Sequence, residues 1–301
     1  MSRVRSFIRS LQLKGFKGTA QTIFGKIVPS RAKNLKLYTH ALADNVGLEI
    51  GGPSSLFDDG GALPVYAVLK RLDNCNFSNT TVWEGNLKEG TTFRFHKDKP
   101  LGRQFICEAF DLGAIKSASY DFVISSNTIE HVANPLKALF EWKRVVKDNG
   151  HLLLVAPHRD TTFDHNRPIT SLPHIVEDYE RHTGEDDMTH LDEILALHDL
   201  DMDPPAGDHE SFRERSINNL QNRCLHQHVF NTELVVQLLD FIEFQIVSVD
   251  PMLPFNIAVL ARKPAPREPV DNQTFLSSAA TYRRASPFKS DRNGTFPQPT
   301  R

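Results

Sequence analysis

The feature that most constrains the fold is the run from Tyr120 to Ala156. YDFVISS at 120–126 is apolar and rich in β-branched and aromatic residues; a helix-spaced stretch, Pro135–Lys147, follows, and then HLLLVA at 151–156. Pro135 suits a first helical turn, where its missing N–H costs nothing. Asn149-Gly150 ends the helical pattern. Apolar strands alternating with helices of this length read as βαβ units, and such units build a parallel sheet with helices on both faces.

The same rhythm starts earlier. Val46–Ile50 is a short apolar strand, Gly51-Gly52-Pro53-Ser54 a turn, Pro64–Arg71 a helix, Leu72–Phe77 a weaker strand and Phe105–Cys107 a third. Residues 157–230 break the rhythm with many His, Asp and Pro. A segment that long is no connector, and it is expected to form a lid on the sheet. Asn231 then caps a helix through Phe241. Phe244–Val249 and Ile257–Ala261 follow with too short a link for a crossover, so they must pair antiparallel. The expected organisation is a basic segment 1–43, a domain 44–262 with the insertion 157–230, and a disordered Pro-, Ser- and Arg-rich tail 263–301.

Charge is segregated along the chain. Residues 1–43 hold nine Lys/Arg and no acid, whereas 44–261 hold 18 Lys/Arg against 34 Asp/Glu. So acidic a body argues against a nucleic-acid substrate. The basic start places apolar residues at helical spacing (Val4, Phe7, Ile8, Leu11, then Ile23, Phe24, Ile27, Val28). Three readings stay open for it: residues 1–36 lie on an anionic membrane or acidic partner, serve as a transit peptide, or pack on the domain. No apolar run approaches the ~18 residues of a spanning helix, and no secretory leader is recognisable. Three scattered cysteines fit a reducing compartment. The expectation is a cytoplasmic protein, with peripheral contact at the inner face of the membrane.

The turn after the first strand is the first chemical clue. Glu49 ends that strand, and Gly51 and Gly52 let backbone approach a bulky ligand closely. Ser54 and Ser55 add hydroxyls. An acid at the end of the second strand, about 20 residues on, commonly takes a ribose hydroxyl pair. Asp73 fits; Glu84 is the alternative if Thr81–Trp83 is the true strand end. Phe110 beside Asp111, in the loop after the third strand, would sandwich an adenine and accept its amino protons.

Glu49-Ile50-Gly51-Gly52, the Phe110-Asp111-Leu112 loop and YDFVISSNTIEHVANPLKALFEWKRVVKDNGHLLLVAP together resemble class I S-adenosylmethionine-dependent methyltransferases, in the small-molecule, ubiquinone/menaquinone-like branch (methyltransferase type 11). The resemblance spans roughly 44–156 and 229–262. It implies a Rossmann-like, seven-stranded, mostly parallel sheet with an antiparallel last strand and the insertion after strand 5. It also implies S-adenosylmethionine in the crevice at the carboxyl ends of strands 1, 2 and 4, which adds Ser126 and Asn127 to the cofactor set. The family reads acid-x-Gly-x-Gly-x-Gly; this chain has Pro53 and Ser55 in place of the second and third glycines.

Methyl transfer is an in-line displacement that needs alignment and, for a hydroxyl acceptor, a base. His158, directly after strand 5, and His131, after strand 4, are the candidate bases. Asp164, His165 and Arg167 are placed to grip a polyol, so the expected acceptor is a hydroxyl of a sugar or glycan intermediate, lipid-linked or free. No HExxH or CxxC spacing is present, and no metal is assigned. The competing readings are a nicotinamide-dependent oxidoreductase and a non-catalytic module with a degenerate site.

Overall fold

The structure, a computed structural model, describes residues 31–293. Its centre is an eight-stranded sheet in the order β3-β4-β2-β1-β5-β6-β8-β7. The strands are β1 (Val46–Ile50), β2 (Arg71–Asn76), β3 (Gly90–Phe93), β4 (Gly102–Ile106), β5 (Tyr120–Ser126), β6 (Val146–Pro157), β7 (Gln245–Met252) and β8 (Asn256–Arg262). The strands β4-β2-β1-β5-β6 run parallel, while β8 is antiparallel to both its neighbours. The expected seven-stranded pattern is therefore present, with one addition: β3 pairs antiparallel with β4 at the edge.

Period-two alternation sends each central strand into two cores. In β5 and β6, Val123, Leu152 and Leu154 join the cluster under Leu139, Trp142 and Leu239, whereas Phe122, Ile124, Leu153 and Val155 join the one under Tyr38, Leu42 and Tyr66. The helices that close these faces are α1 (Leu35–Leu42), α2 (Pro135–Val145) and, after the insertion, Thr232–Phe241. Asn134 caps α2 by accepting from the Lys137 N–H, Pro135 starts it, and Lys143 and Arg144 sit in its last turn, where cations suit the dipole.

Three expectations need correction. Pro64–Arg71 is not a helix: only Tyr66–Val68 makes a 3-10 turn, and Arg71 already opens β2. Leu63, Val65, Tyr66 and Leu69 are all fully buried, and Tyr66 is drawn onto Glu49 by its hydroxyl, so the chain follows its anchors rather than a helical stripe. The tail is ordered over its described residues, 263–293. Asn272 bonds Asp240, the Phe244 carbonyl and the Ile246 N–H, Tyr282 packs in the main core, and Asp291 accepts from Thr232 and Ser286. A few well-placed anchors outweigh a composition that reads as disorder. At the other end, Asn34 and Tyr38 bond Asp250, so residues 31–43 belong to the domain. The patterns at 4–11 and 23–28 lie outside the described residues. Among the described residues no helix is long and apolar enough to cross a membrane.

The insertion has a small core of its own, Ile194, Ala206, Phe212 and Leu225. It is built on α3 (Leu172–Glu180), α4 (Leu191–Leu197) and α5 (His209–Ile217), so the helix Thr232–Phe241 is α6.

Candidate active site

A cavity of about 530 Å³ opens at the carboxyl edge of the sheet, within the range of small-molecule sites. The sheet contributes the ends of four neighbouring strands: Gly51 after β1, Asn76 and Phe77 at β2, Glu108 and Ala109 after β4, and Ser126 and Asn127 at β5. The insertion contributes Thr161, Thr162, Phe163, Glu185, Met202, Arg223 and His226. Glu130, His131 and Trp83 also face it.

The glycine turn is held from behind. Gly51 sits at φ +82°, and a side chain there would meet the Thr128 hydroxyl at 2.4 Å. A side chain on Gly52 would meet the Glu49 carboxyl at 2.1 Å. Asn74 and Asn76 bond the Gly52 backbone. Glu49 is fully buried, with Tyr66 Oη 2.8 Å away and the Ser54 N–H 3.1 Å away. Burial pushes its carboxyl up to about 8, against the Tyr66 and Ser54 hydrogen bonds. Glu49 is thus a clamp for the loop, not a wall of the cavity, and the same holds for Gly52. Gly51, Ser54, Ser126 and Asn127 line the cavity.

Asp73 does not reach the site. It pairs with Leu48 in the middle of the strands and accepts from Tyr120 Oη and the Arg103 N–H, both at 2.8 Å. β2 continues to Asn76, so its acid lies three residues short of the rim. Glu84 does line the cavity. Phe110 and Asp111 are also off the wall: Phe110 lies under Lys137 at 4.5 Å, and exposed Asp111 accepts from the Gly113 N–H in its own turn. Glu108 and Ala109, immediately after β4, line the cavity instead. The signal available in the sequence was the first acid after the strand.

The histidines divide differently from the expectation. His158 is fully buried, stacked 3.9 Å from Phe288, with Nε2 3.1 Å from Asp291 and Nδ1 accepting from the Asp160 N–H. The ordered tail seals it, so it cannot be the base. Asp164 and Arg167 are buried against each other at 3.0 Å, and Arg167 also bonds Glu193 and the His226 carbonyl. His165 bonds the Thr162 carbonyl and faces Asp199 at 3.6 Å. This trio braces the insertion and is spent on protein partners.

Asp164 and Arg167 also hold His226. Its Nδ1 lies 2.5 Å from the Asp164 carboxylate and its Nε2 4.0 Å from Glu130. Burial disfavours the imidazolium, but Asp164 outweighs it and raises the His226 pKa. Burial likewise pushes Asp164 up, and His226 followed by Arg167 overrides it, holding the carboxyl at about 2. His131 lies beside this pair, with ring centroids 4.7 Å from His226 and 5.0 Å from Trp83. Its Nδ1 is 3.0 Å from the Leu225 carbonyl, and burial together with His226 drops it to about 3. Burial raises Glu130 to about 7. Glu130 and His226 were missed in the sequence because each gains its role from a partner far along the chain.

Arg223 joins the two walls, reaching Glu108 at 2.7 Å and Glu185 at 3.0 Å. The acids Glu84 and Glu108, with Asn127 Oδ1, which is buried and unpaired, are acceptors. They fit a cofactor rich in donors: an ammonium, a ribose diol and an adenine amino group.

Residues 66–154 match the family model described as "Methyltransferase domain". The chain carries a methyltransferase domain. Over that span it is an enzyme domain for methyl transfer. The matched span begins downstream of the Gly51–Ser55 turn, where two glycines of the usual pattern are missing. No curated protein matches the sequence. Among solved structures, the methyltransferase domain is similar to a protein from Listeria monocytogenes titled a putative S-adenosylmethionine-dependent methyltransferase (16% identity, 77% of this chain and 97% of that chain, TM-score 0.43). It is also similar to one from Methanosarcina mazei titled among SAM-dependent methyltransferases (15%, 76% and 97%, TM-score 0.41). A third, from Thermotoga maritima, is titled a possible histamine N-methyltransferase (16%, 87% and 97%, TM-score 0.39).

Proposed function

We propose that the cavity holds S-adenosylmethionine against the strand ends and that its methyl passes to a hydroxyl of a small polar acceptor, a sugar or glycan intermediate, with His226 as the base. The observation that carries this reading is His226 on the cavity wall with its Nδ1 2.5 Å from the buried Asp164 carboxylate. When bound, the cofactor supplies an electrophilic methyl on a sulfonium. Glu84 or Glu108 would take its ribose hydroxyls and adenine amino group, and Asn127 Oδ1 a further donor.

Asp164 accepts the Nδ1–H of His226, which leaves Nε2 with its lone pair toward the cavity. Nε2 of His226 would take the proton of an acceptor hydroxyl as the methyl moves to that oxygen and the broken C–S bond leaves its electron pair on sulfur as a thioether, and Asp164 would stabilise the imidazolium. His131, held neutral, adds no opposing charge. Trp83, 56% exposed, and Phe163 offer apolar faces for a sugar ring. The acid-free start of the chain supports peripheral contact with an anionic surface, as a lipid-linked acceptor would need.

Methyl incorporation into glycan and lipid-linked sugar pools tests the reading, alongside titration with S-adenosylhomocysteine and with NAD. His226→Ala is expected to lower turnover by about 10²–10⁴-fold and to leave S-adenosylhomocysteine affinity nearly unchanged. Full turnover in that variant would remove His226 as the base.

A further inference from the structure

His174, His190 and His228 converge on one point of the insertion, away from the cavity. Their rings form a near-regular triangle, with centroids 5.0, 5.9 and 6.0 Å apart and mutual tilts of 62–72°. One ligand atom from each lies within 4.8 Å of the others, and Nε2 of His174 is 3.1 Å from Nε2 of His190. That is close to the ~3.3 Å edge of a tetrahedron whose corners lie about 2.0–2.1 Å from a central ion.

A plain hydrogen bond between His174 and His190 would not account for the third ring. His228 is 1% exposed. Its Nε2 lies 3.1 Å from the Ala133 carbonyl, while its Nδ1 is buried without a hydrogen-bond partner. Donation to a backbone carbonyl from the far nitrogen is the outer-shell arrangement that fixes the tautomer of a metal-bound imidazole. Asp178 adds a second orphan. Its Oδ1 accepts from Thr183, but Oδ2 is buried without a hydrogen-bond partner, 3.4 Å from His174 Nε2 and 3.9 Å from His228 Nε2. Two unspent acceptors beside two facing imidazoles are what a cation would satisfy, since leaving buried polar atoms unpaired is costly.

We propose that His174, His190 and His228 bind a divalent ion of the Zn²⁺ class, with Asp178 or water in the fourth position. Three imidazoles and a carboxylate suit zinc in tetrahedral geometry. The ligands come from α3, from the residue before α4 and from the irregular segment leading to α6, so the ion would staple the chain between them. That segment carries Glu185, which lines the cavity and bonds the Ala133 N–H and Arg223. The ion's role is to hold this wall in place, and no step of methyl transfer passes through it.

The full chain, purified without a polyhistidine tag, is stripped with a chelator and titrated with Zn²⁺ and with Co²⁺. The expected result is one ion per chain and the ligand-field absorption of four-coordinate cobalt. His190→Ala and the gentler His174→Gln are each expected to weaken binding by about 100-fold or more, beyond the loss of an outer-shell partner, with far-UV circular dichroism unchanged. His131→Ala is expected to keep the ion. This control matters because Glu130, His131 and His226 form a second group of possible ligands. No ion at micromolar Zn²⁺, or an ion lost in His131→Ala and kept in His190→Ala, would overturn the assignment.

Discussion

The two walls of the cavity are built by different means. The sheet wall comes from strand ends, and its residues are placed by local pattern: Gly51 by the turn after β1, Ser126 and Asn127 by the end of β5. The insertion wall comes from a segment with little periodicity, and its residues are placed by ion pairs that span long stretches of chain. Asp164 and His226 are 62 residues apart, and Arg223 and Glu108 are 115 apart. The first wall is written in short-range geometry. The second exists only once the chain is folded.

The sharpest way to break this contrast is to unpair Arg167. Its side chain is buried and holds Asp164, Glu193 and the His226 carbonyl. Arg167→Met keeps much of the volume but leaves Asp164 beside His226 without its cation, a loss of about 3–5 kcal/mol for a broken buried pair. Urea unfolding is expected to show that loss as an early, separate transition of the insertion. The folded fraction should bind S-adenosylhomocysteine within a few-fold of wild type. A single cooperative transition, with cofactor affinity falling in step, would show that the walls are not independent.

What the sequence made legible follows the same divide. The strands β1, β5, β6, β7 and β8, the helices α2 and α6 and the antiparallel ending were all readable, because each rests on periodicity or a cap within a dozen residues. The two acids proposed from the sequence for the cofactor lie off the cavity wall: Asp73 falls three residues before the end of β2, and Asp111 three after Glu108. Strand ends are where pattern is weakest. His158 was misread for another reason. Its partner Asp291 lies 133 residues on, in a tail whose composition hides Tyr282 and Phe288. His226 stands two residues from His228 in the sequence, and nothing local ties it to Asp164.

A smaller effect tests how the sheet wall is held. Burial pushes the Glu49 carboxyl of the folded protein up from 4.5 to about 8. Between these values the folded chain keeps a proton that the unfolded chain has released, so the stabilisation is complete below pH 4.5. It declines as pH rises toward 8, by at most about 1.4 kcal/mol per pH unit. Glu49→Gln preserves the shape and an acceptor for Tyr66 but does not titrate. Urea unfolding at pH 5.5, 6.5 and 7.5 should find the variant gaining on wild type as pH rises. Parallel pH slopes for the two proteins would mean that Glu49 is ionised in its clamp and that the loop is held by charge.

The smallest expected difference decides the register of the sheet wall. Glu108 follows β4 directly, faces the cavity and is held by Arg223 at 2.7 Å. Asp111 is exposed and caps its own turn. If the wall is made by strand ends alone, Glu108→Ala should weaken S-adenosylhomocysteine by about 1–3 kcal/mol, the scale of a hydrogen bond to a charged group. Asp111→Ala should stay within about 0.5 kcal/mol in both affinity and stability, as surface changes usually do. Arg223 complicates the first number, since removing Glu108 frees one side of its guanidinium. Glu108→Gln separates the two causes, because it retains an acceptor for the cofactor while weakening the ion pair. Affinity restored in Glu108→Gln would assign the loss to the cofactor contact, and affinity still lost would assign it to Arg223. A cofactor penalty in Asp111→Ala equal to that of Glu108→Ala would return the adenine to the Phe110-Asp111 loop and move the wall three residues along the chain.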